Sequence, residues 1–238
     1  MKQIILFSLL LLLLCVPAFG QKTSADKPAC TLGLNQSPEL RGFRMGMTQA
    51  AALAKLPGVT VEKPDKFGLV RLRLSIIDSS ALIKSAARDR GVEPDITAGP
   101  NTGSAFVLDA VRFPALKGVR KLQMRFIEGR LSYLQVTYDD SIRWDSVDQF
   151  VETVSNSLKL PQAWKSPEDA DRGSEEKELR CEGFVLSATA TADSRDINSG
   201  PELVLQDLAA WNAMSKKQND LVEKAKREAD EKRKAFKP

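Results

Sequence analysis

Between Val119 and Tyr138 the chain alternates, turns and alternates again. Leu122, Met124 and Phe126 fall on one side of an extended backbone, and Lys121, Gln123 and Arg125 on the other. Glu128-Gly129 follows, and Leu131 to Tyr138 is rich in Tyr, Val, Thr and Leu. A period of two on either side of a glycine turn is a β-hairpin. Its register is open: a two-residue loop pairs Phe126 with Leu131, and a loop with a glycine bulge pairs Phe126 with Arg130. Leu69 to Ile77 repeats the alternation, with Val70, Leu72, Leu74 and Ile76 opposite Arg71, Arg73 and Ser75. Further strands are expected at 106–113 and 179–191, and a short one at 202–205. Together they predict an antiparallel sheet, one face of which is buried.

Helix signals fill the gaps. Thr48 can cap Ala50, Ala51, Ala52, Leu53 and Ala54 before Pro57-Gly58 stops the run, predicting a helix over 48–56. Ser146-Val-Asp-Gln149 is a capping box, with Asp145 as an alternative cap. Val147, Phe150, Val151, Val154 and Leu158 then form one apolar stripe that ends before Pro161, predicting a helix over 146–159. Asp78-Ser79-Ser80 opens a third candidate helix, which ends at Gly91. Residues 92–104 and 167–178 read as loops. From Asp207 the chain is helical, with Leu208, Trp211, Met214, Leu221 and Val222 as a packing stripe. Beyond Glu223 it is nearly all charge, with i,i+4 pairs such as Glu223–Arg227, Glu228–Lys232 and Asp230–Lys234. The expected fold is α+β: a domain over 39–206 with helices 48–56 and 146–159 packed on one face of an antiparallel sheet. A long charged C-terminal helix, 207–238, follows with a solvated end. No short-period repeat is present, only a loose echo of helix then strand at 48–77 and 146–192.

The first twenty residues read as a signal peptide. Lys2 precedes a stretch from Ile4 to Val16 that is apolar but for Ser8, and Ala18-Phe19-Gly20 supplies small residues at −3 and −1. The stretch is about 13 residues, short of the ~20 that cross a bilayer. Cleavage near Gly20 and a secreted or periplasmic mature protein are expected. Cys15 follows Leu14, which is too large for a lipobox. Residues 21–38 are small and polar and read as a flexible lead-in. No further stretch of membrane-spanning length follows. Cys30 and Cys181 remain after processing and suggest one disulfide in an exported chain; the alternative is two separate buried thiols.

Several chemistries are excluded or weakened. The chain has 0 histidines, which removes the commonest general base and metal ligand and every His-dependent triad. No zinc site, cofactor or catalytic residue is expected. Ser24-x-x-Lys27 falls in the lead-in, where no oxyanion hole can be held. Gly99-Pro-Asn-Thr-Gly103 lacks the Gly-Lys-Ser/Thr ending of a phosphate loop. Asp139, Asp140, Asp145 and Asp148 lack the order of a calcium loop, and Asp145 and Asp148 suit a helix N-terminus. Trp144, Trp164 and Trp211 are candidates for recognition, with core packing the simpler reading. A net charge of +4, spread without a basic stripe, gives no case for nucleic acid.

Arg41-Gly42-Phe43-Arg44-Met45-Gly46-Met47-Thr48, followed by a short helix and strands, resembles the opening of small bacterial envelope modules. These are the BamE/SmpA-type outer-membrane assembly lipoproteins and the β-lactamase-inhibitor-like domains. Gly46, Met47 and Thr48 carry the likeness, with the Phe126–Leu131 hairpin in support. The sequence departs in having no lipobox and in Leu56-Pro57-Gly58 after the first helix. The chain is also similar to secreted proteins of environmental bacteria. The resemblance implies a compartment and no functional residue. The leading expectation is a non-enzymatic protein that binds an envelope or secreted protein. The runner-up is a binder of small ligands or lipids in a cleft between sheet and helices. A third reading is a histidine-free carbohydrate-active enzyme using Asp139 or Asp140.

Overall fold

The computed structural model describes residues 30–79, 105–139, 144–167, 175–190 and 200–235. The expected signal peptide, the loop expected at 92–104 and all but the first two residues of the helix expected at 78–91 lie outside these residues. Strands are β1 (Leu69–Ile77), β2 (Ala105–Asp109), β3 (Val119–Ile127), β4 (Arg130–Tyr138), β5 (Glu176–Arg180), β6 (Phe184–Thr189) and β7 (Glu202–Asp207). Among the described residues the α-helices are α1 (Gln49–Ala54), α2 (Val147–Leu158) and α3 (Leu208–Ala235). All the strands belong to one 7-stranded sheet in the order β2-β1-β3-β4-β7-β6-β5. The fold is α+β, as expected.

The sheet is antiparallel except at one edge. β2 runs parallel to β1, from Arg73 opposite Ala105 to Ile77 opposite Asp109. This corrects the wholly antiparallel expectation. A parallel neighbour needs a crossover of a dozen residues or more, and the 78–104 connection is long enough. β2 also ends at Asp109 rather than 113, because the Asp109 carboxylate accepts from Val111 N at 3.0 Å and turns the chain.

The β3–β4 hairpin takes the two-residue register, with Phe126 opposite Leu131 and Ile127 opposite Arg130. Glu128 and Gly129 have φ of 52° and 76°, the left-handed pair that matches strand twist in a tight hairpin. Arg125 faces Tyr133 in the next rung, so Ser132 is an extra, bulged residue. The bulge lets Leu131 and Leu134, three apart in sequence, both reach full burial.

The strand expected at 179–191 is a hairpin, β5 and β6, folded back through Cys181-Glu182-Gly183 with Cys181 N donating to Phe184 O at 2.9 Å. The short strand expected at 202–205 is β7, an interior strand between β4 and β6. The helix-then-strand echo now has a meaning. α1 precedes the meander β1, β3, β4, and α2 precedes the meander β5, β6, β7. The last strands of the two meanders lie side by side.

Even-numbered residues of β1 and β3 (Leu72, Leu74, Leu122, Met124, Phe126) join Leu134, Val136, Leu186, Leu203 and Leu205 in one core. Ala52 of α1 and the Val147, Phe150, Val151, Val154 stripe of α2 close over it. Each large side chain so buried contributes about 1.5–3 kcal/mol. Both helices start on caps read from sequence. Thr48 Oγ1 accepts from Ala51 N at 3.2 Å, and Ser146 Oγ from Gln149 N at 3.2 Å. The return bond of the second cap goes one residue further back, from Asp145 N to Gln149 Oε1 at 3.0 Å.

Cys30 and Cys181 are disulfide-bonded, with Cα atoms 4.4 Å apart. The segment expected to be a loose lead-in is therefore tied down from Cys30 onward. Cys30, Ser37 and Pro38 are buried, and Leu32 O accepts from Gly183 N at 3.2 Å. Gly183 has to be glycine, since a Cβ there would collide with the backbone of Gly33 and Leu34.

α3 starts where β7 ends. The Asp207 carboxylate accepts from Ala210 N at 2.9 Å, capping the first turn. Trp211 and Met214 then pack on Phe67, Leu69 and Ile127, on the opposite side of the sheet from α1 and α2. Docking ends sooner than the stripe suggested, for Leu221 and Val222 are 43% and 52% exposed. A helix of 28 residues spans roughly 42 Å at 1.5 Å per residue and outruns the sheet. Ion pairs on the projecting part join Lys226 to Glu223 at 2.8 Å and Arg233 to Asp230 at 3.6 Å, both i,i+3.

Candidate functional site

A cleft of about 890 Å³ suited to a ligand lies between α2 and one end of the sheet. Its existence follows from how the layers meet. α2 presents Phe150, Val154 and Leu158 downward, while its flank carries Thr153 and Ser157 at the mouth. β4 ends there with Tyr138 and β7 begins there with Leu203. Trp144, just before α2, forms a side wall, its ring centroid 5.2 Å from that of Phe150. Phe150 in turn meets Tyr138 edge-on at 6.4 Å. The edge-on contact is one of the favoured aromatic geometries.

Polar groups converge on the rim from two loops. Arg41 and Gly42 form a two-residue turn with φ of 53° and 90°, closed by Leu40 and Phe43 exchanging both backbone bonds at 2.9 Å. The turn carries the Arg41 guanidinium over the Tyr138 ring, 5.0 Å from its centroid. Burial pushes the Tyr138 phenol above its ordinary pKa, while Arg41, which lies close and hydrogen-bonds to it, holds the rise back. Tyr138 is thus a neutral hydroxyl at any physiological pH. Lys117 and Gly118 supply the second loop, and Asp139 N donates to Gly118 O at 3.0 Å. Glu39 lies on the rim but turns to Arg44, at 3.6 Å.

The residues singled out in sequence distribute unevenly. Cys30 and Cys181 come together, away from the cleft. Asp139 reaches the rim, Asp140 lies outside the described residues, and Asp148 pairs with Lys177 of β5 at 3.1 Å. Among the described residues no three His, Cys, Asp or Glu side chains gather as metal ligands, and no helix is long and apolar enough to cross a membrane. Of the tryptophans only Trp144 lines the cleft. Trp164 donates to buried Ser155 at 2.7 Å, and Trp211 docks α3. Arg125 stacks on Tyr133 at 4.3 Å and reaches Trp211 at 5.5 Å, so that cation serves packing on the far face. Arg41 and Tyr138 were not singled out. The one signal for Arg41 was its place before Gly42, the order of a tight turn.

The chain matches no protein-family model, no curated protein and no solved structure.

Proposed function

We propose that this chain is an exported, non-catalytic binding protein that holds a small apolar or amphipathic molecule in the cleft between α2 and the sheet. The observation that carries the reading is the cleft itself. About 890 Å³ falls within the range of small-molecule sites, roughly 300–1,000 Å³, and a mainly apolar wall with a few converging polar groups is their usual chemistry. Export is supported by Lys2, the Ile4–Val16 stretch and Ala18-Phe19-Gly20. The absence of histidine from the sequence favours binding over catalysis.

Binding of N-phenyl-1-naphthylamine, a neutral dye that fluoresces in apolar sites, tests the reading. One saturable site is expected, and Ser157→Trp at the exposed mouth should abolish it while leaving the melting temperature unchanged. Absence of saturable binding, or equal binding by the Ser157→Trp protein, defeats the proposal.

A second reading, recognition of an envelope or secreted protein, is favoured by one observation. Leu221 and Val222 stand exposed on the part of α3 that projects beyond the sheet. Deleting residues 219–238 and repeating a cross-linking capture of partners from the exporting cell separates the two readings.

A further inference from the structure

We propose that the ligand of the cleft carries a carboxylate or similar anionic head group, held at the rim by Arg41 and Lys117. The inference rests on the reading of the cleft as an apolar ligand site and names the chemistry of its polar end. Three observations carry it. The first is the backbone under Arg41. A left-handed φ of 53° disfavours any side chain with a Cβ, and tight two-residue turns take Asn, Asp or Gly at that place. The comparable turn at Glu128-Gly129 points its exposed side chain into solvent, whereas Arg41 is half-buried and lines the cleft. The turn does not need an arginine; the cleft gains a guanidinium from it.

The second observation is the donor count. A guanidinium offers five N–H donors in a planar fork that matches a carboxylate. The Tyr138 ring lies against the guanidinium, its centroid 5.0 Å from Arg41 Cζ. Arg41 makes no ion pair among the described residues and lines the cleft. The third is the company it keeps. Arg41 Nη2 is 4.0 Å, and Asp139 Oδ2 3.8 Å, from the point where a Cβ on Gly118 would sit. Lys117, next in chain, also lines the cleft and makes no ion pair among the described residues. Three carboxylates share the rim: Glu39 pairs with Arg44, and Asp78 and Asp139 each have an interaction. The rim therefore presents Arg41, half-buried on a turn that disfavours it, and Lys117 above an apolar floor of Phe150, Val154, Leu158 and Leu203. That is the charge pattern complementary to an anionic amphiphile.

The test is a titration of the full mature chain with decanoate and decyltrimethylammonium, each below its micelle concentration, and decan-1-ol, below its solubility limit, read by calorimetry. Decanoate should bind at least about tenfold tighter than either of the others, the order of one charge-assisted contact. Arg41→Asn keeps a residue that the turn prefers, so the protein stays folded. Together with Lys117→Gln it should weaken decanoate about tenfold or more and leave decan-1-ol unchanged. Equal affinity for the three compounds, or an undiminished decanoate affinity in the double variant, overturns the head-group assignment while the cleft reading stands. No binding by any of the three would mean that the cleft takes no such ligand, and both proposals fall.

Discussion

Removal of the Cys30–Cys181 bond has a magnitude that follows from the fold. The two cysteines are 151 residues apart in sequence, so the bond closes most of the domain into one loop in the unfolded chain. The loop-closure relation gives an entropic stabilisation of about 5 kcal/mol at 25 °C for a loop of that length. Native strain and residual unfolded-state structure lower what is measured, so a loss of about 2–5 kcal/mol is expected. Cys30→Ala, Cys181→Ala and the double variant should lose nearly the same amount, since each breaks the same bond. Alanine avoids burying a new hydroxyl at two sites that are only 4% and 2% exposed. At roughly 2–4 °C per kcal/mol for a domain of this size, the melting temperature should fall by about 4–20 °C. Urea unfolding of the oxidised protein, the reduced protein and the three variants measures it. Variants that unfold at the wild-type midpoint, or single variants that add up in the double, would refute the loop-closure argument.

Shortening α3 after Gln218 should leave the melting temperature within a few degrees of the parent by scanning calorimetry, because Met214 is the last side chain of the helix to be buried. Glu128→Asn should raise stability by a few tenths to about 1 kcal/mol in urea unfolding, since Asn accepts the left-handed backbone that Glu128 occupies at φ 52°. Gly183→Ala should cost about 1–3 kcal/mol in the same assay, because the Leu34 backbone must move to admit a methyl group. Tyr138 has a folded-state pKa above its unfolded value near 10. The folded chain holds that proton longer, so the contribution is full below about pH 10 and is lost as pH rises through the folded pKa. Tyr138→Phe should therefore lose less melting temperature than the parent between pH 9 and pH 11.

Periodicity made the sheet legible where one face is buried and the other wet. Arg71, Arg73 and Ser75 between Val70, Leu72, Leu74 and Ile76 gave β1 its full range. It failed where burial or a bulge hides the period. In β6, Phe184, Val185 and Leu186 are all buried, so nothing in their hydropathy marked the turn at Glu182-Gly183. In β4, the bulge at Ser132 shifts the pattern by one. The direction of β2 was invisible because it depends on the path of a long connection. The caps at Thr48 and Ser146 were readable because their bonds are local. The cleft was not, because it is made by residues from position 39 to position 203 whose meeting depends on strand order. Arg41 and Tyr138, nearly a hundred positions apart, carry no pairwise signal in one sequence. Export and the resemblance to envelope modules rest on the residues that suggested them.

The most direct test of the central claim uses the indole signals of the three tryptophans. In a ¹⁵N-labelled sample titrated with decanoate, the Trp144 indole should shift progressively and saturate, because its ring walls the cleft. The Trp164 indole, bonded to Ser155, and the Trp211 indole, on the far face with α3, should stay in place. Shifts at Trp211 with Trp144 unmoved would place binding on the opposite face and contradict the account.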